Sequence, residues 1–221
     1  MIDSKPALAG CARRMFSLAK PALRRRSEGF TLLEVLIALA IMVMLVTFGV
    51  PSFSSFYSGQ RVIGAAEQIY NHLQQARTEA VTRNTTVYVN FTGSGSTTWS
   101  YGMSSINSGC DLTKTAATDA GACVMVVDDG DGSVYGIGGS TDTGDLVLNR
   151  FTSADYTGVT MTIANFSSGS NQFVLSATRG TSTSGTVTLS ANSKSLKITM
   201  SLLGRPKICS PSGTIQGYPS C

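Results

Sequence analysis

The sequence predicts an α+β fold in which one long N-terminal helix packs on an antiparallel β-sheet or sandwich. Three observations lead there. Phe30 to Val50 is a largely apolar run with no charge except Glu34. Val62, Ala66, Ile69, Leu73, Ala76 and Ala80 then recur at spacings of three and four, the stripe of an amphipathic helix. Beyond residue 85, β-branched and aromatic runs alternate with Gly-, Ser- and Thr-rich turns. The chain divides accordingly into residues 1–29, a basic leader; 30–50, an apolar helix; 51–84, its amphipathic continuation; and 85–221, a β-rich globular domain.

The leader carries most of the positive charge. The whole chain has 17 basic and 13 acidic residues, a net charge of +4, but residues 1–29 hold seven of the former and two of the latter. From residue 30 onward 10 basic groups face 11 acidic ones, so the basicity is no argument for a nucleic-acid partner. Phe30–Val50 as a helix spans roughly 32 Å, enough for a bilayer core. Basic residues precede it and none follows until Arg61, which places the N-terminus in the cytoplasm and the remainder across the membrane. A cleaved secretory signal peptide fits poorly, because the run is too long and ends in Phe48-Gly49-Val50-Pro51 rather than in a small-x-small site. Glu34 inside this run costs on the order of 3 kcal/mol at the bilayer centre and less near the interface.

The helix continues after Pro51, with a bend expected near Gly49 and Pro51, and ends near Arg83-Asn84. Glu67, Asn71, Gln74, Gln75 and Arg77 fall largely off the apolar stripe, whose face is expected to lie on a sheet. Eight strands are expected: Thr85–Phe91, Trp99–Met103, Ala122–Val127, Asp145–Phe151, Val159–Ile163, Gln172–Thr178, Gly185–Ser190 and Ser195–Ser201. There is no internal repeat and no second globular domain.

Cysteine usage points to an oxidising compartment. Cys11 lies in the leader, while Cys110, Cys123, Cys209 and Cys221 all follow the apolar run and form no C-x-x-C pair. Two disulfides are expected. Pairing 110 with 123 and 209 with 221 closes two short loops, though spacing alone leaves all three pairings open. His72 is the one histidine and stands apart from the cysteines, so a zinc site is not expected and His72 reads as a partly buried or surface residue. Asp128-Asp-Gly-Asp-Gly132 holds three carboxylates but lacks the spacing and terminal glutamate of an EF-hand; it reads as a solvated acidic turn, with weak calcium binding as the alternative. No nucleophile–base pair, metal cluster or phosphate loop stands out, so the chain is not expected to be an enzyme or to hold a cofactor.

Gly29-Phe30-Thr31-Leu32-Leu33-Glu34 and the apolar run behind it resemble the type IV prepilin signature. The resemblance implies a pilin-like fold and a substrate of the prepilin peptidase. It implies cleavage of the leader after Gly29, N-methylation of Phe30, and a Glu34 that pairs with the free N-terminal amine of a neighbouring subunit. Pro51 falls where many pilins carry a helix-kinking proline. Other pilins, the peptidase and inner-membrane lipid are the partners that follow.

The C-terminal half is similar to the GspH/FimT group of minor pilins and H-type pseudopilins. Trp99-x-x-Gly102, the later Val-Val-Asp128, and the ending Gly204-Arg205-Pro206-Lys207-Ile208-Cys209 carry that similarity. It implies a minor pilin that primes or joins a pilus tip, with a type II secretion pseudopilin as the alternative. In transformation-associated members a Gly-Arg-x-Arg motif contacts DNA. Arg205 and Lys207 occupy the matching positions, with Lys in place of the second Arg, and Lys194 and Lys197 could extend a patch if they share its face. Two phosphate contacts give only weak, salt-sensitive binding. The competing reading is that Gly204 makes a turn and Arg205 satisfies a local carbonyl or carboxylate.

Overall fold

The computed structural model describes residues 29–167 and 170–221, except for the side chains of residues 49–53. The leader up to residue 28, with Cys11 and Arg24 to Arg26, lies outside what it describes; Gly49 and Pro51, where a bend is expected, fall within one helix. The described residues divide into two compact units, the first ending at Leu45 and the second beginning at Val46.

The first unit is the start of α1 (Leu32–Thr82), which continues into the second. Thr31 begins the helix: its hydroxyl accepts the Glu34 N–H at 3.2 Å, and its carbonyl accepts those of Glu34 and Val35. The apolar side chains of this unit face no core. Phe30 is 82% exposed, and Val35, the most covered of the large ones, is 48% exposed. Among the described residues no helix is long and apolar enough to cross a membrane. The apolar stretch with described side chains stops at Phe48, whereas the expected run includes Gly49 and Val50.

In the second unit the stripe on α1 becomes the spine of the core. Val62, Ala65, Ala66, Ile69, Leu73, Ala76 and Ala80 are all fully buried. Small residues at four of these positions let the sheets approach the helix closely, while Ile69 and Leu73 each contribute about 1.5–3 kcal/mol by burial. The helix ends where the sequence turns polar. Asn84 takes φ +50°, the Thr85 N–H reaches back to the Ala80 carbonyl at 3.1 Å, and the Asn84 N–H to that of Val81 at 3.4 Å. This is a Schellman cap with asparagine in the left-handed position.

The strands are β1 (Val87–Thr92), β2 (Ser100–Ser104), β3 (Val124–Val126), β4 (Leu146–Leu148), β5 (Arg150–Thr152), β6 (Thr160–Ala164), β7 (Gln172–Leu175), β8 (Gly185–Ala191), β9 (Lys194–Met200) and β10 (Pro206–Cys209). They form two antiparallel four-stranded sheets, ordered β5-β2-β1-β7 and β10-β9-β8-β6, and a small β3-β4 pair. Alternation is clean in the second sheet: Val187, Leu189 and Ala191 on β8 and Leu196, Ile198 and Met200 on β9 point inward. Val87, Val89 and Phe91 of β1 and Phe173 and Leu175 of β7 supply the other face of the same core.

Two departures from the expected strands have local causes. The single strand expected over Asp145–Phe151 is two strands that pair with different partners. Asn149 sits at the break, its N–H donating to the Cys123 carbonyl at 2.8 Å and its carbonyl accepting the Met103 N–H at 2.9 Å. The segment Pro206–Cys209, outside the eight expected strands, is also a strand and pairs with β9. It lies at the sheet edge and begins with proline, the placement in which the missing N–H costs no ladder bond.

Candidate functional site

Three groups of residues carry the functional expectations. The first is Gly29, Phe30 and Glu34. Gly29 and Phe30 precede the helix, and no heavy atom lies within 4 Å of where a Gly29 side chain would begin. Glu34 stands in the first helical turn, where the positive end of the backbone dipole favours a carboxylate. Thr31-Leu-Leu-Glu34 is also the T-x-x-E pattern of a capping box, of which the Thr31 half is formed. The sequence carries that signal alongside the stronger one of a lone carboxylate in an apolar run.

The second group surrounds Trp99-x-x-Gly102. Trp99 is buried, and its indole N–H donates to the Val159 carbonyl at 2.9 Å. A side chain at Gly102 would begin 2.7 Å from the Asn149 carbonyl oxygen, 2.8 Å from Cys123 Cβ and 2.9 Å from Cys123 Sγ. The spacing therefore does two structural jobs: it anchors β2 through the indole and lets the Cys110–Cys123 disulfide lie flat on the strand. The Asn90 amide adds a contact to Cys110 Sγ at 3.1 Å. Beside this group His72 Nδ1 lies 2.8 Å from the Tyr101 hydroxyl, and its ring centroid is 4.0 Å from that of Phe151. Burial holds the imidazole below its ordinary pKa, and burial followed by the Tyr156 charge raises the Tyr101 phenol. The histidine is a half-buried packing residue.

The acidic loop behind Asp128 is organised by Asp145, which is fully buried although the sequence offers no hint of it. Its two carboxylate oxygens accept the N–H groups of Asp129 and Tyr135 at 2.9 and 2.8 Å. Asp128 caps Gly130, and Asp131 accepts both the N–H and the hydroxyl of Ser133, which hold its carboxyl below the ordinary range. Asp128, Asp129 and Asp145, and separately Asp129, Asp131 and Asp142, come close enough to share an ion. These carboxylates accept hydrogen bonds from the loop's own backbone N–H groups and the Ser133 hydroxyl.

The third group is the C-terminal hairpin. Gly204 takes φ +65°, and a side chain there would begin 2.3 Å from the Gly180 carbonyl oxygen, so the turn needs glycine. Arg205 and Lys207 are exposed, and among the described residues neither side chain has a hydrogen-bond or ion-pair partner. The Arg205 backbone closes the turn against Ser201. Lys207 pairs in register with Thr199, two residues from Lys197 on the outward face of β9, so the structure brings these two lysines to one face. Lys194 is drawn away, its ammonium donating to the Thr214 carbonyl at 2.7 Å. Cys209 is joined to Cys221. The loop thus closed lies against α1: Ile215 is buried, and the Tyr218 hydroxyl donates to Glu67 at 2.5 Å. Burial, that bond and the Glu67 charge push the Tyr218 phenol up to about 12.

The family model of type II transport protein GspH matches residues 65–204, more than half of the chain. The chain belongs to the GspH family. A second model, the prokaryotic N-terminal methylation motif, matches residues 24–50. Comparison with curated proteins and with solved structures finds no match. The two families identify a minor pilin or pseudopilin, a structural protein and not an enzyme, whose N-terminal motif marks it as a prepilin peptidase substrate. They imply anchoring in the inner membrane and assembly with other pilins or pseudopilins into a filament.

Proposed function

We propose that this GspH-family chain is a minor type IV pilin that primes or joins the tip of a pilus. The prepilin peptidase cuts between Gly29 and Phe30 and methylates Phe30. The mature subunit waits in the inner membrane on residues 30–50, with residues 85–221 in the periplasm, and then moves that helix into the filament core. The observation that carries this reading is the apolar N-terminal part of α1, exposed on all sides and interrupted by one carboxylate, Glu34. An apolar helix without a core of its own needs lipid or neighbouring helices. A carboxylate among such helices needs a cation, and a neighbour's N-terminal amine supplies one. The test is Glu34→Ala: membrane insertion should persist while incorporation into filaments falls. Unchanged incorporation overturns the role of the charge.

Two further readings each have one supporting observation. The name of the matching family favours a type II secretion pseudopilin. Neighbouring genes decide this: a secretion operon replaces the pilus reading, and a pilus operon removes the alternative. The exposed Arg205 and Lys207 favour a DNA contact during uptake. The expected result is a salt-dependent shift of duplex DNA that Arg205→Ala weakens. Binding that is absent, or indifferent to Arg205→Ala, removes that role.

A further inference from the structure

Two faces that complement each other flank α1 at its C-terminal end. Glu79 and Val81 project about 200° apart around the helix, so the residues gathered beside each lie on opposite sides of it. On the Val81 side two turns meet. A side chain at Gly204 would begin 2.3 Å from the Gly180 carbonyl oxygen, and the Ser182 N–H donates to the Leu202 carbonyl at 3.0 Å. A side chain at Gly180 would in turn begin 3.5 Å from Val81 and 3.8 Å from Arg77. The joined turns raise Leu202 and Leu203, 62% and 65% exposed, as a knob. Arg77, Arg179 and Arg205 flank it, and among the described residues none of the three has an ion-pair partner. Phosphate contacts have no use for two adjacent leucines on a fixed turn, whereas an apolar protein surface does.

On the Glu79 side, Ile106, Val126, Val134 and Ile137 line an open cleft of about 560 Å³ together with Arg83. Ile137 is 69% exposed. Arg83 does not repel an incoming cation, because Glu79 pairs with its guanidinium, which also donates to the Val126 carbonyl at 2.6 Å. The loop that supplies Val134 and Ile137 also presents Asp128, Asp129 and Asp131, all exposed. No basic residue stands between Lys114 and Arg150 to offset them. We propose that this chain binds a second copy of itself, the Leu202–Leu203 knob of one copy seating in the Ile106–Ile137 cleft of the next while Arg179 and Arg205 meet the Asp128–Asp131 loop. Polarity and charge both select this occupant, since an apolar knob with a cationic surround matches an apolar cleft with an acidic rim. Knob and cleft are different surfaces of one chain, so the contact is heterologous: every added copy leaves a free knob and a free cleft, and the contact repeats. With the two faces at one end of α1 and on opposite sides of it, joined copies can stand side by side with this part of their helices pointing the same way. The inference goes beyond the filament reading, because every residue it uses lies in the second unit and neither Phe30 nor Glu34 takes part.

The experiment is disulfide trapping between full chains in detergent, each carrying Cys11→Ser so that the introduced thiol is the free one. Mixed Leu203→Cys and Ile137→Cys chains, mildly oxidised, should form a 203–137 dimer about tenfold in excess of either symmetric dimer, because the bond needs Cβ atoms within about 4.5 Å. Gln75→Cys in place of Leu203→Cys sets the background. Adding Arg179→Glu and Arg205→Glu to the Leu203→Cys chain should lower the yield about tenfold. Arg179→Lys with Arg205→Lys should keep most of it, which separates lost charge from lost folding. A 203–203 dimer in excess gives the knob a symmetric partner and overturns the cleft. A 203–137 yield no higher than the Gln75→Cys background overturns the contact, and duplex DNA bound by that same chain would assign the face to nucleic acid instead. A yield indifferent to charge reversal overturns the role of the arginines.

Discussion

Gly102→Ala adds one methyl group, and the structure gives its consequences. The new Cβ would lie 2.7 Å from the Asn149 carbonyl oxygen, 2.8 Å from Cys123 Cβ and 2.9 Å from Cys123 Sγ. None of these atoms is the free end of a flexible chain. Asn149 is fixed by bonds to Cys123 and Met103 at the crossing between two strand pairs, and Cys123 is tied to Cys110. Relief requires β2 and the disulfide to separate, an overpacking cost of about 3 kcal/mol. For a chain of this size that lowers Tm by roughly 6–12 °C. The assay is thermal and urea unfolding of the full chain in detergent, with Gly109→Ala as the control, since nothing lies within 4 Å of that position. Gly109→Ala should stay within about 0.5 kcal/mol of wild type. Repeating Gly102→Ala in a Cys110→Ala/Cys123→Ala background should recover on the order of 1 kcal/mol, because the untethered residue can move. A Gly102→Ala protein within 1 kcal/mol of wild type, or a cost indifferent to the disulfide, refutes the argument.

Removing the second disulfide with Cys209→Ser/Cys221→Ser opens a loop of sequence separation 12 and should cost about 3 kcal/mol, read from the urea midpoint. Gly204→Ala forces a methyl toward the Gly180 carbonyl at positive φ and should cost about 2–3 kcal/mol by the same measurement. His72 predicts a pH dependence. Burial depresses its pKa in the folded chain, so its contribution is whole above the unfolded value of about 6.5 and is lost as pH falls through that value toward the folded one. Between about pH 7 and 5, Tm should fall more steeply in wild type than in His72→Gln; parallel profiles would count against it.

The legible part of the fold is the part written in period and charge. All six stripe positions from Val62 to Ala80 lie in the core, because helical periodicity is a direct record of one buried face. The helix end near Asn84 was readable from the change to polar residues. Strand existence was legible and strand partition was not. Asn149 divides its run by serving two neighbours at once, a tertiary fact that alternation does not encode. The strand over Pro206–Cys209 lay outside the eight expected ones, and its edge position is what accommodates the proline. At the candidate site, Gly29, Phe30 and Glu34 stood out because a lone carboxylate in an apolar run is costly and therefore conspicuous. The cap that Thr31 places on Glu34 was written in the same six residues and hidden by the stronger signal. Buried Asp145 was not legible among many loop aspartates, since only the fold aims two N–H groups at it. Nor did spacing choose the disulfide pairing, which depends on which loops close in space.

The central claim is that this chain is a processed filament subunit, and mass spectrometry of its N-terminus tests that most directly. Protein purified from cells with an active prepilin peptidase should begin at N-methylated Phe30, with everything through Gly29 removed. A chain that keeps its leader and begins at Met1, or one cut at any other bond, would contradict the account.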